Sequence, residues 1–137
     1  MNPVITKKYH FCASHKYGNA HWSEQKNLQV FGKDYNNHGH NYILEVSIKG
    51  PINPDTGWLT DLQELNDIVK NNVINILDHS QIEEDIKWFR GKQPSSENIL
   101  IWAWSKIEPL IEDGNLFRLR LVETHSIHTD YYGENSI

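Results

Sequence analysis

The chain predicts an α+β fold, an antiparallel sheet with two helices on one of its faces. Two observations predict it. About Val4–His15, His38–Lys49 and Leu116–Thr124 alternate apolar and polar side chains with the two-residue period of strands. Thr60–Leu77, and a segment starting near Ser95 or Ser96, repeat their apolar residues at helical spacing. The 137 residues fit a single domain, taken as 1–137, since no repeat, linker or low-complexity stretch divides them.

In the first strand Ile5, Tyr9, Phe11, Ala13 and His15 share one parity and so one sheet face. Lys16 to Asn37 is long for a connection in a compact domain, and such loops often serve function. Within it Ser23 is placed to cap a short helix over Glu24–Phe31 that Gly32 ends. In the second strand His38, His40, Tyr42, Leu44, Val46 and Ile48 form one stripe, with Asn41, Glu45 and Ser47 opposite. Pro51–Gly57 reads as a turn region. Thr60-x-x-Gln63 matches a capping box ahead of an apolar stripe of Leu62, Leu65, Val69, Val73 and Ile76, and Asp78-His79 follows the helix. The second helix follows Pro94 and carries Ile99, Trp102, Ala103, Ile107, Leu110 and Ile111. Pro109 tightens its last turn and Gly114 stops it. In the last strand Phe117, Leu119, Leu121 and Glu123 face one way, and Arg118, Arg120 and Thr124 the other. So few strands leave sheet edges open, and pairing between subunits would cover them.

Formal net charge is −5 with no basic run, which argues against a nucleic-acid partner. Cys12 is the single cysteine, so no internal disulfide forms. Met1–Ala20 has no apolar core of a signal segment, and no apolar run approaches membrane-spanning length. The expectation is a cytoplasmic protein with no membrane partner. Cys12 alternates away from Phe11, Ala13 and His15 and reads as a buried small hydrophobe; Trp102 and Trp104 read as packing.

His38-Gly39-His40 carries the chemistry. Residues i and i+2 of a strand point to the same side, so both imidazoles can reach one metal ion. If the two strands are neighbours, His15 supplies a third nitrogen. Three histidines with a free fourth position describe a catalytic zinc site, and one cysteine excludes a thiolate-rich structural one. A His-x-His pair by itself fits ordinary surface or hydrogen-bonded histidines better, and the other motifs reverse that reading. Glu123 ends an apolar stripe, where a carboxylate either curls to solvent or anchors a ligand with adjacent N–H donors. Asp78-His79 reads as a surface turn or as an acid/base pair. Ser95-Ser96-Glu97 is first a helix cap, whose free N–H groups can also hold a polar ligand.

Together these segments resemble the 6-pyruvoyl-tetrahydropterin synthase/6-carboxytetrahydropterin synthase family. Phe11-Cys12-Ala13-Ser14-His15, His38-Gly39-His40-Asn41-Tyr42, Leu77-Asp78-His79, Pro94-Ser95-Ser96-Glu97-Asn98 and Val122-Glu123-Thr124 resemble its signatures, in its order. The resemblance implies zinc on His15, His38 and His40, pterin anchored by Glu123 with Ser95 and Ser96 near it, and a catalytic Asp78–His79 pair. It implies the T-fold, a barrel closed by oligomerisation into a homohexamer of two stacked trimers, with active sites between subunits. The substrate implied is 7,8-dihydroneopterin triphosphate, converted without nicotinamide or flavin to a 6-pyruvoyl- or 6-carboxy-tetrahydropterin, in pterin or queuosine-type deazapurine biosynthesis. One position departs: Asp34 stands where the family has a cysteine as general base. Family members with an acidic residue there are associated with carbon–carbon cleavage to 6-hydroxymethyl-7,8-dihydropterin. A homologue that binds zinc and pterin without turnover is the third reading.

Overall fold

A computed structural model describes residues 1–134. The long strands β1 (Val4–His15) and β2 (His38–Lys49) pair antiparallel along their whole length, from Val4 against Lys49 to His15 against His38. The loop between them folds α1 (Glu24–Phe31), capped by the Ser23 hydroxyl and stopped by Gly32 at φ +57°. A 3₁₀ turn over Gly32–Tyr35 then delivers the chain to β2.

α2 (Leu62–Val69) runs on through a π-helical turn, Lys70–Ile74, into a final turn, α3 (Asn75–Leu77). Its cap is Asp61, whose carboxylate accepts from the Gln63 N–H, and not Thr60. The π turn also shifts the apolar stripe. Leu65, Val69 and Val73 are buried as expected, but Ile74 and Leu77 then take the inward positions and Ile76 is left exposed.

The two-residue strand β3 (Ser80–Gln81) joins β1 in parallel at Ala13 and Ser14. After the short helix α4 (Ile82–Asp85) comes α5 (Ser96–Ile107), which Pro109 continues as one 3₁₀ turn. β4 (Asn115–Thr124) adds to β2, and β5 (Ile127–Tyr131) to β4, both antiparallel. The sheet order is β3-β1-β2-β4-β5, an open sheet with β3 and β5 at its edges.

One sheet face packs on the helices. Tyr9, Phe11, Tyr42, Leu44, Val46, Ile48, Leu119 and Leu121 meet Leu65, Val69, Val73, Ile99, Trp102 and Ile107 in one core. Each fully buried aliphatic side chain there contributes about 1.5–3 kcal/mol. The other face is polar and cross-linked. Glu45 pairs with Arg118 at 3.2 Å, and Arg120 grips Asp130 through two hydrogen bonds of 2.7 and 2.9 Å.

Two expected placements change. A bulge pairs Ser47 with Arg118 but Ile48 with Leu116, so Phe117 is the extra residue. Leu116 therefore fills the core, while Phe117 turns outward against Tyr132. Cys12 is exposed rather than buried, its thiol donating to Asn41 Oδ1 at 2.8 Å, because the even-parity face of β1 carries no helix at that end.

Candidate active site

The core face of β1 and β2 ends in three histidines. Their register puts His15 directly across from His38, and Ala13 across from His40. The rings stand 4.6 to 5.1 Å apart, centre to centre. One ring nitrogen from each lies within 4.8 Å of those of the other two. Strand parity thus builds a three-nitrogen cluster that can hold a metal ion.

Hydrogen bonds orient two of the rings. His15 Nδ1 lies 2.7 Å from the Pro94 carbonyl, and His38 Nδ1 lies 2.8 Å from the Asn36 carbonyl. A carbonyl only accepts, so each Nδ1 carries the proton and each Nε2 presents a lone pair. His15 Nε2 is buried without a hydrogen-bond partner, the signature of a nitrogen reserved for something absent from the protein itself. Burial pushes the His15 imidazolium below its usual range. The Pro94 carbonyl and Glu123 oppose that shift, while His38 and His40 add to it. A neutral imidazole is the form a metal needs.

Two carboxylates border the cluster. Glu123 Oε1 lies 3.7 Å from both His15 Nε2 and His40 Nε2. A second bulge aims it there: Val122 pairs with His128 and Thr124 with Ile127, leaving Glu123 as the extra residue of β4. Asp34, on the 3₁₀ turn, has Oδ1 3.7 Å from His38 Nε2 and a side chain that remains 61% exposed. The backbone of that turn is tied to the end of β1 by the Tyr17 N–H on the Asp34 carbonyl, at 2.9 Å.

Comparison with known proteins decides the family. The model for 6-pyruvoyl tetrahydropterin synthase matches residues 4–134. The chain belongs to the 6-pyruvoyl tetrahydropterin synthase family. It is 35% identical over 131 residues to the 6-pyruvoyl tetrahydrobiopterin synthase of Dictyostelium discoideum, covering 96% of both chains. It is 30% identical over 132 residues to that of Homo sapiens, covering 95% of this chain and 91% of the relative. The solved 6-pyruvoyl tetrahydropterin synthase of Caenorhabditis elegans superposes with a TM-score of 0.86 at 28% identity, over 96% of this chain and 97% of that one.

The remaining family motifs fall in two places. Pro94-Ser95-Ser96 lies at the triad, since Pro94 holds His15. The Ser95 hydroxyl caps α5 by accepting from the Asn98 N–H at 3.2 Å, whereas the Ser96 hydroxyl is buried with no partner. Asp78 and His79 lie at the edge of β1 instead. The Asp78 carboxylate accepts from the Cys12 N–H at 2.9 Å and lies 2.9 Å from His79 Nδ1. These two contacts hold its carboxyl below the usual range. His79 takes the left-handed conformation, φ +62°, and its ring is 82% exposed. Among the described residues no hydrogen bond or ion pair joins this dyad to the triad or to Asp34. His79 instead lines a cleft of about 620 Å³ with Cys12, Gly39, His40 and Asn41.

Sequence reading missed Tyr17 and the Pro94 carbonyl. Tyr17 packs edge-on to His15 at 5.4 Å, and burial pushes its phenol up to about 12, helped by Glu123, Glu97 and Asp34. The odd parity of β1, extended two residues past its end, points to Tyr17. Nothing in a sequence singles out a backbone carbonyl.

Proposed function

We propose that the chain is a zinc-dependent lyase acting on 7,8-dihydroneopterin triphosphate, and that it yields a 6-pyruvoyl- or 6-carboxy-tetrahydropterin. The observation that carries this is the oriented histidine cluster beside Glu123, in a chain of this family. His15, His38 and His40 would hold the ion, three imidazoles with room for substrate, the donor set of catalytic zinc. A Lewis-acidic ion bound there would polarise the side-chain oxygens of the substrate.

The protein's own groups supply the rest. Glu123 accepts the N–H edge of the pterin ring, a bidentate arrangement that a carboxylate makes well. The unpartnered Ser96 hydroxyl offers that ring a further hydrogen bond, beside the Ser95 cap. Asp34, half in solvent beside His38, takes the substrate proton. Asp78 holds the His79 ring and keeps its Nδ1–H engaged, leaving Nε2 to exchange protons with the substrate. No hydrogen bond or ion pair joins the dyad to the triad among the described residues, and the His79 ring faces solvent, so each dyad is placed to serve the site of a neighbouring copy. Open edges at β3 and β5 leave the sheet free to close as a T-fold barrel, in a homohexamer.

One observation favours a second product. An aspartate, with an ordinary pKa of about 3.9, is a far weaker base than a thiolate at about 8.5. Deprotonating a hydroxyl demands less of a base than deprotonating carbon. Asp34 therefore suits carbon–carbon cleavage to 6-hydroxymethyl-7,8-dihydropterin, which starts at a hydroxyl. Incubating the purified protein with 7,8-dihydroneopterin triphosphate and identifying the products by mass spectrometry tests both. A tetrahydropterin with inorganic triphosphate supports the first, and a phosphorylated two-carbon aldehyde the second. No turnover of this substrate refutes the enzyme reading.

A further inference from the structure

We propose that Glu123 is a protein ligand of the metal while the pterin site is empty, and that an arriving pterin draws it off the ion. The inference rests on the metal and pterin reading above and concerns how the two sites are coupled.

The geometry starts from His15. Its Nδ1–H is committed to the Pro94 carbonyl, so the buried Nε2 is a bare lone pair. What it faces is another acceptor, Glu123 Oε1, 3.7 Å away. Two acceptors at that distance share no hydrogen bond, and they repel unless a cation lies between them. His40 Nε2 is equally 3.7 Å from the same oxygen. Neighbouring ligands of a tetrahedral zinc ion with bonds of about 2.0–2.1 Å sit roughly 3.3–3.4 Å apart. At 3.7 Å from His15 and His40, Glu123 Oε1 is a few tenths of an ångström beyond that spacing and within a small side-chain shift of an ion held by those two imidazoles, while Asp34 is the carboxylate beside His38. The bulge at Glu123 fixes that aim, and only 18% of the side chain is exposed.

The same carboxylate cannot stay on the ion during turnover. Gripping two adjacent pterin N–H groups takes both carboxylate oxygens, and the substrate's oxygens need the open corner. Pterin capture and opening of the ion are then a single event: the ring recruits Glu123, and the vacated corner receives the side chain.

Co²⁺ reports the ligand set through its visible absorption. The test uses Co²⁺-loaded protein and pterin itself, 2-amino-4-oxopteridine, which has no side chain to bind the ion; pterin fluorescence follows its binding independently. The Glu123→Gln spectrum should differ from that of the parent before any pterin is added. Saturating pterin should move the parent spectrum toward that of Glu123→Gln and weaken Co²⁺ binding several-fold, as reciprocal coupling requires. Glu123→Asp, which keeps the charge on a shorter arm, should fall between. Identical parent and Glu123→Gln spectra overturn the resting ligand. A parent spectrum unmoved while fluorescence shows bound pterin overturns the exchange, and needs no variant. Failure to bind Co²⁺, or failure to bind pterin, removes the underlying reading and this inference with it.

Discussion

The two faces of the sheet at the end of β1 carry two different kinds of chemistry. On the core face His15 is fully buried, its ring oriented by Pro94, its Nε2 aimed at Glu123. On the other face, three residues back at Cys12, the Asp78–His79 pair hangs from the strand edge with its imidazole in solvent. The three histidines come together within one chain, His15 buried and His38 and His40 partly exposed, as a group that could hold a metal ion. The exposed pair is oriented by side-chain hydrogen bonds and by an unusual backbone conformation, and among the described residues the His79 ring has no hydrogen-bond partner but Asp78. A non-glycine residue in the left-handed region marks a position whose function is worth testing.

The largest break in this contrast comes from the buried side. His38→Ala should lower metal affinity by more than roughly 10²-fold, beyond the usual loss of an outer-shell partner. Metal analysis and circular dichroism after purification check it. A folded variant with full metal content would sink the ligand assignment.

Asp34→Asn comes next. It removes the proton acceptor with almost no change in shape, and should slow turnover by about 10²–10⁴-fold while metal and pterin still bind. Unchanged turnover would pass the role of base to another group. Asp34→Cys sharpens the product question: if the base strength decides the route, the mass spectrum of products shifts toward the tetrahydropterin.

The exposed side is tested by mixing. His79→Ala should cost about 10²-fold in rate with metal content unchanged. Subunits of His79→Ala and His38→Ala, dissociated and reassembled together, should recover activity in about a quarter of sites by random pairing. If the mixed assembly stays as inactive as its parents, the dyad serves its own chain and the contrast between faces collapses. The pH dependence follows from Asp78. Its carboxyl is lowered in the folded protein, so the stabilisation it gives the dyad is fully present above about pH 3.9. That contribution is lost only as pH falls through the still lower folded value, and an acid limb of activity near neutrality belongs to other groups.

How far the sequence could be read divides along the same line. Parity on two long, regular strands is a strong rule, and it leads from His38-Gly39-His40 to His15. It fails where a ladder gains a residue. The bulge at Phe117 reverses that side chain, and the π turn at Lys70–Ile74 moves the helix stripe from Ile76 to Ile74 and Leu77. Such insertions are set by tertiary packing and leave no periodic mark. Ile127–Tyr131 escaped for a related reason. As an edge strand it puts only Tyr131 against the core, on Trp104, so its sequence shows no apolar stripe. Cys12 is exposed despite its strand parity because alternation says which face a residue takes, not whether anything covers that face.

The smallest expected effect separates two adjacent serines. Ser95 Oγ accepts from the Asn98 N–H, whereas Ser96 Oγ is buried and accepts from nothing. Removing a helix cap costs about 1 kcal/mol, so Ser95→Ala should lower Tm by about 3–5 °C. Removing a buried hydroxyl that has no partner also removes its uncompensated desolvation cost, so Ser96→Ala should not lower stability as Ser95→Ala does. Pterin binding should respond in the opposite sense. If the Ser96 hydroxyl is reserved for the ring, Ser96→Ala loses one neutral hydrogen bond, about 0.5–1.5 kcal/mol, or up to roughly tenfold in Kd. Ser95→Ala should bind pterin nearly as the parent does. Differential scanning calorimetry and pterin titration on the two variants read out both halves. A Ser96→Ala protein that is markedly less stable but binds pterin normally would make that hydroxyl part of the scaffold, and the buried end of the sheet would hold one fewer group for its ligand.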